Sequence, residues 1–88
     1  MRFDDIEWSE AVAEKLWSKH GVDTSEVIEA LDGETFIRRG SRGLYYVLGR
    51  TEAGRYLFVA VRSLGDGMVR LVTARDMDAS ERRTYQRR

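Results

Sequence analysis

The sequence holds no cysteine and no proline, and only one histidine in 88 residues. Without cysteine there is no disulfide framework and no thiolate metal site, and a cytoplasmic home is expected. Without proline, no strand suffers a missing backbone donor. The opening MRFDDIEW lacks the apolar run of a signal peptide. No stretch is long and apolar enough to span a bilayer, so no membrane role is expected. Internal repeats, linkers and low-complexity tracts are also missing. The glycines of GSRG and LGDG punctuate turns, and nothing resembles a cofactor loop, so neither a cofactor nor a metal is expected.

What is present is a single globular domain over residues 1–88. A chain that is 42% hydrophobic and 34% charged belongs with folded soluble domains rather than disordered ones. At this size only about 60–65% of the unfolded surface is buried on folding, so stability is modest.

A formal charge of zero conceals a division. Residues 1–34 carry ten acids against Arg2, Lys15 and Lys19, a net charge of −7. Residues 35–88 carry twelve arginines against five acids, a net charge of +7. Arginine's planar fork matches phosphate oxygens better than the point charge of lysine. The division fits a basic half that meets a polyanion or an acidic partner, or two halves that neutralise each other across the fold.

The local patterns predict an α+β domain: an antiparallel sheet of about four main strands with two N-terminal helices and one C-terminal helix. MRFDDIEW offers a short additional first strand anchored by Phe3, Ile6 and Trp8. Ser9 caps EAVAEKLWSKH, in which Ala13, Leu16, Trp17 and His20 share one face, and Gly21 ends it. Asp23 or Thr24 caps a second helix, with Asp23 and Glu26 spaced as a capping box. Val27, Ile28 and Leu31 supply its buried side, and Gly33 closes it. From Thr35 the period becomes two. TFIRR, LYYVLGR, RYLFVAVR and MVRLVTAR are strand-like, separated by short glycine-bearing turns that suit hairpins. Asp78 caps ASERRTYQRR, again with an acid three residues on, at Glu81.

Arg50, Arg62 and Arg75 each end a predicted strand. In a meander, Arg50 and Arg75 emerge at one edge and Arg62 at the other. Two guanidinium groups converging without an acid invite an anion between them. Pairing of these arginines with the acidic helices is the alternative.

The pieces WSKHG, LGRTEAGRYLFVAV and RLVTARDMDASERRTY together resemble the BrnT family of type II toxins, small ribonucleases related in fold to RelE. The most specific element is the closing one, an R-hydrophobic-hydrophobic-T-A-R strand followed by a helix containing E-R-x-x-Y. The turn at Lys19, His20 and Gly21 and the strand from Gly54 to Phe58 support it. The resemblance implies metal-independent RNA cleavage and inhibition by a cognate antitoxin, a small DNA-binding protein. In such a reaction the ribose 2′-hydroxyl attacks the adjacent phosphate. One group takes the 2′ proton, another protonates the 5′-oxygen, and fixed cations neutralise the phosphorane.

On that scheme Arg75 and Arg50 clamp the phosphate, while His20 serves proton transfer because imidazole titrates at about pH 6.5 in water. Glu81 or Lys19 complements it. Tyr85 lies one helical turn beyond Glu81 and is placed to meet RNA, as are Arg62, Arg82 and Arg83. Each has a structural alternative. His20 can satisfy helix carbonyls, Glu81 can serve only its capping box, and Tyr85 can pack helix to sheet. Trp8, Trp17, Tyr45, Tyr46, Tyr56 and Phe58 read as core or interface. The competing function is a non-catalytic module of the same fold that binds a protein partner or nucleic acid.

Overall fold

A computed structural model of the protein describes residues 5–88. Phe3, expected to anchor the first strand, lies outside the described residues. In chain order the elements are β1 (Asp5–Glu7), α1 (Glu10–His20), α2 (Thr24–Asp32), β2 (Phe36–Arg39), β3 (Leu44–Arg50), β4 (Tyr56–Gly65), β5 (Met68–Asp76) and α3 (Ala79–Arg87).

The helix boundaries follow their caps. Ser9 Oγ accepts from Val12 N at 3.2 Å, and Gly21 ends α1 in the left-handed conformation at φ 62°. Asp23 and Glu26 close a capping box on α2, and Asp78 and Glu81 close a second on α3. Gly33 also terminates α2, though with an extended φ of −84°.

The strands lie in the order β1-β5-β4-β3-β2. From β2 to β5 the sheet is an antiparallel meander. β1 runs parallel to β5, with Ile6 opposite Val69 and Glu7 opposite Arg70. The sheet is therefore five-stranded and mixed: the short first strand joins the four main ones, and its parallel pairing corrects the antiparallel expectation. Hairpin turns dictate direction only between strands they join, and β1 meets β5 with no turn between them. Asp66 and Gly67, at φ 54° and 79°, make a two-residue hairpin turn between β4 and β5. β4 consequently runs on to Gly65, so Arg62 lies inside the strand rather than at its end.

The period of two divides each strand between two faces. One face carries Val47, Leu57, Val59, Val61, Val69, Leu71 and Ala74, which pack on Leu16, Val22, Val27 and Ala30 of the first two helices and their connection. Each fully buried Leu or Val there contributes roughly 1.5–3 kcal/mol. Gly49 lets α2 lie close: a Cβ at that position would stand 2.5 Å from the Ala30 carbonyl oxygen. Ile28, expected on the buried side of α2, is instead 39% exposed, and Trp17, which read as core or interface, is 65% exposed. The core-facing side of α1 runs through Val12, Leu16 and His20, which leaves Trp17 turned away. In α2, Ala30 takes the buried place beside Val27.

The opposite face of the sheet is covered only at one end. There Leu48, Met77 and Tyr85 form a second apolar cluster with Phe36, Tyr56 and Phe58, beneath α3. The candidate site lies at this end.

Candidate functional site

The meander register assembles the site. β3 and β5 flank β4 and run in the same direction, so Arg50 and Arg75 emerge at the same end of the sheet, as the meander predicts. Arg50 stands opposite Tyr56, and Phe58 stands opposite both Leu48 and Arg75. Because Tyr56 and Phe58 are two residues apart, all these side chains lie on the face that α3 covers. Arg62 lies farther along β4, toward the other end, where its Nη1 donates to the Arg42 carbonyl at 2.6 Å.

Arg75 is not left without an acid. Its Nη1 and Nη2 donate to Glu81 Oε1 and Oε2 at 2.8 and 3.0 Å, in a fork-to-fork pair. Glu81 Oε1 also accepts from the Asp78 amide at 2.9 Å, so this carboxylate closes a helix cap and holds the strand arginine together. The hydrogen bonds to Glu81, with its charge, raise the Arg75 pKa further and keep the guanidinium charged. The guanidinium also lies 4.1 Å from the centre of the Phe58 ring, which fixes its plane.

One pleat along, two more arginines converge on a tyrosine. The Arg50 guanidinium lies 5.1 Å from the Tyr56 ring centre, and that of Arg82 lies 4.5 Å from it. Arg50 is folded back onto the turn at Gly54, where a Cβ would come within 3.1 Å of its Nη2. The φ of 96° at Gly54 likewise requires glycine. Neither Arg50 nor Arg82 has a carboxylate partner among the described residues. The Tyr56 phenol is held below its ordinary value near 10. A long 3.5 Å hydrogen bond from Gln86 contributes most, followed by the positive charge of Arg50 and then of Arg82.

Beside the Arg75–Glu81 pair an open cavity of about 330 Å³ is floored by Phe36, Tyr46, Leu48 and Phe58 and walled by Asp78 and Glu81 of the α3 cap. The Tyr46 and Phe58 rings stack at 5.6 Å. Aromatic floor, cations and a carboxylate together provide a place for a base, counter-charge for a phosphate and a proton acceptor.

Tyr85 is buried, its hydroxyl donates to the Glu34 carbonyl at 2.9 Å, and its ring meets Tyr56 edge-on at 5.9 Å. It fastens α3 to the body and offers no free face to a base. Arg88, paired with Glu34 and lying 4.0 Å from the Tyr85 ring, secures the same end. Arg82 and Arg83 are exposed on α3.

His20 and Lys19 end α1, the helix packed on the other face of the sheet. They therefore lie across the sheet from Arg75, Arg50 and Glu81, with His20 at the end of the sheet that carries Asp76. What holds the His20 turn in place is Arg55, the residue between Gly54 and the start of β4. Its Nη2 donates to the His20 carbonyl at 3.1 Å and its Nη1 to the Gly21 carbonyl at 2.9 Å. Nη1 also reaches Glu26 at 3.1 Å, and Nε meets Asp76 at 2.7 Å. Asp76 is held below its ordinary value by the Arg55 hydrogen bond first, with smaller contributions from the charges of Arg55 and His20. The stretch GRYLF displayed this arginine, yet a sequence does not say that one guanidinium reaches two helices and a strand end.

Among the described residues no group of three His, Asp or Glu side chains is placed to hold a metal ion, and no helix is long and apolar enough to cross a membrane.

No protein-family model matches this sequence, and no curated protein matches it. Among solved structures, the Brucella abortus ribonuclease toxin BrnT superposes with a TM-score of 0.71. The match covers 84% of this chain and 96% of that one, at 16% sequence identity. The chain thus has the fold of a BrnT-like toxin.

Proposed function

We propose that the chain is a ribonuclease toxin of a type II toxin–antitoxin system. It cleaves RNA without a metal, by attack of the ribose 2′-hydroxyl on the adjacent phosphate. The observation that carries this reading is the α3-covered end of the sheet, where the Arg75–Glu81 pair stands one pleat from Arg50, Tyr56 and Arg82. The BrnT-like fold supports it. In the reaction a bond forms from the 2′-oxygen to phosphorus and the bond to the 5′-oxygen breaks, giving a cyclic phosphate and a free 5′-hydroxyl. Arg75 and Arg50 neutralise the phosphorane oxygens. Glu81, held in one orientation by Arg75, accepts the 2′ proton. Arg82, Arg83 and Arg62 lie on exposed surface that tracks the RNA backbone. A cognate antitoxin, a small DNA-binding protein, covers the arginine-bearing face, and the pair acts in the cytoplasm. His20 and Lys19, on the far side of the sheet, carry no step in this scheme.

One observation favours a second reading, a non-catalytic module that binds a protein or nucleic acid. Both oxygens of Glu81 are already engaged by Arg75. RNA must share or displace that partner before Arg75 can serve it.

Cleavage of total RNA by the purified chain in EDTA, with Arg75→Ala and His20→Ala alongside, separates the two. The ribonuclease reading expects wild type and His20→Ala to cut while folded Arg75→Ala loses most activity. Intact RNA with wild type, alone and with added ribosomes, makes the binding module the account.

A further inference from the structure

Transphosphorylation needs an acid as well as a base, and the groups named above supply only the base. Arginine is too basic to give up a proton, Glu81 accepts from Arg75 through both of its oxygens, and His20 ends the helix packed on the opposite face. The four tyrosines differ in how their hydroxyls are used. That of Tyr45 accepts from Arg39 at 3.2 Å, and that of Tyr85 donates to the Glu34 carbonyl. Tyr46 forms part of the cavity floor, stacked on Phe58, and among the described residues no guanidinium lies over its ring. Tyr56 is the one whose ring is approached by two guanidinium groups without carboxylate partners among the described residues. Its hydroxyl accepts one long bond from Gln86 and keeps its own proton available to donate.

Resting on the ribonuclease reading, the geometry points to Tyr56 as the proton donor to the leaving 5′-oxygen, with Arg50 and Arg82 holding the phenolate that results. As the bond from phosphorus to the 5′-oxygen breaks, its electron pair takes the Tyr56 hydroxyl proton and the product leaves as a neutral 5′-hydroxyl. The 2′ proton has gone to Glu81, and solvent then returns a proton to Tyr56 and removes one from Glu81, restoring both. The arrangement suits an acid. Two nearby cations stabilise the phenolate more than the neutral phenol, which is also the direction in which the Tyr56 pKa moves. The same two arginines attract the phosphate, so the donor and the counter-charge arrive together.

The test is Tyr56→Phe, which keeps the ring against Tyr85 and beside the two arginines and removes only the hydroxyl. Cleavage rates are compared on a short RNA spanning a mapped cut site, and on the same RNA with sulfur replacing the bridging 5′-oxygen. A thiolate leaves without protonation, so loss of the acid matters only for the oxygen substrate. Tyr56→Phe is expected to slow the oxygen substrate by about 10²–10⁴-fold and to cut the sulfur substrate nearly as fast as wild type. Tyr45→Phe, on the other face, is expected to match wild type on both. Equal loss on both substrates would make Tyr56 a packing residue, and no loss on either would remove it from the reaction; each outcome overturns the assignment while leaving the ribonuclease reading in place. A wild type that cuts neither RNA overturns both.

Discussion

Replacing Arg55 by methionine should cost this domain about 3 kcal/mol, a large share of the roughly 5–15 kcal/mol that holds a domain together. The guanidinium meets Asp76, Glu26 and the carbonyls of His20 and Gly21, and its side chain is only 27% exposed. Not every contact counts fully. Asp76 is 62% exposed, so its arm is discounted to about 1 kcal/mol or less for solvent screening. Glu26, at 27%, is better shielded, and its arm contributes about 1–1.5 kcal/mol. The two helix-end carbonyls lose charged donors, which adds about 1 kcal/mol together once partial access to water is allowed. For a domain of this size each kcal/mol moves Tm by about 4–8 °C, so the expected fall is about 12–24 °C. Arg55→Lys keeps the charge but not the planar fork, and should recover less than half of the loss. Urea unfolding with both variants measures this directly. A pH series adds a sign. Asp76 lies below its ordinary value of 3.8 in the folded chain. A depressed carboxylate stabilises fully above its unfolded pKa, and that contribution disappears as pH falls through the folded one. Wild type should therefore lose stability below about pH 4 more steeply than Arg55→Met. A loss under about 1 kcal/mol for Arg55→Met, or equal acid sensitivity in both proteins, would refute the account of Arg55 as the tie between α1, α2 and the sheet.

Gly49→Ala should destabilise by about 1–3 kcal/mol, since the new methyl meets the α2 backbone rather than a movable side chain; a melting temperature equal to wild type would show that α2 lifts away freely. Arg70→Ala should change stability by less than about 1 kcal/mol, because its pair with Glu7 leaves the two side chains 59% and 46% exposed. A larger loss in chemical denaturation would mean that this pair, and not β1 backbone pairing, holds the edge strand.

Much of the scaffold was legible in the residues. The caps at Ser9, Asp23 and Asp78 act through side chains two or three positions from the amides they satisfy, and such short-range geometry is written in spacing. The meander was legible for the same reason, as was the shared sheet end of Arg50 and Arg75. Direction failed where no turn enforced it, in the parallel pairing of β1. Spacing puts Trp17 on one face of α1 with Leu16, and Ile28 on one side of α2 with Val27, but burial goes to the side that the sheet reaches. Tyr56 reads as core or interface, because nothing in YLFVAV marks one ring as approached by two cations.

By itself, then, the sequence determined the elements, their caps, the α+β class, and the placing of Arg50 and Arg75 near strand ends, all of which rest on contacts between near neighbours. The tertiary structure alone decided which arginines have partners. Glu81 claims Arg75, while Glu26 and Asp76 claim Arg55. Arg50 and Arg82 meet over Tyr56 only because α3 folds back across the end of the sheet. Coulomb energy and hydrogen bonding depend on distances of a few ångströms between side chains far apart in the chain, and only the packing of helices on both faces of the sheet sets those distances.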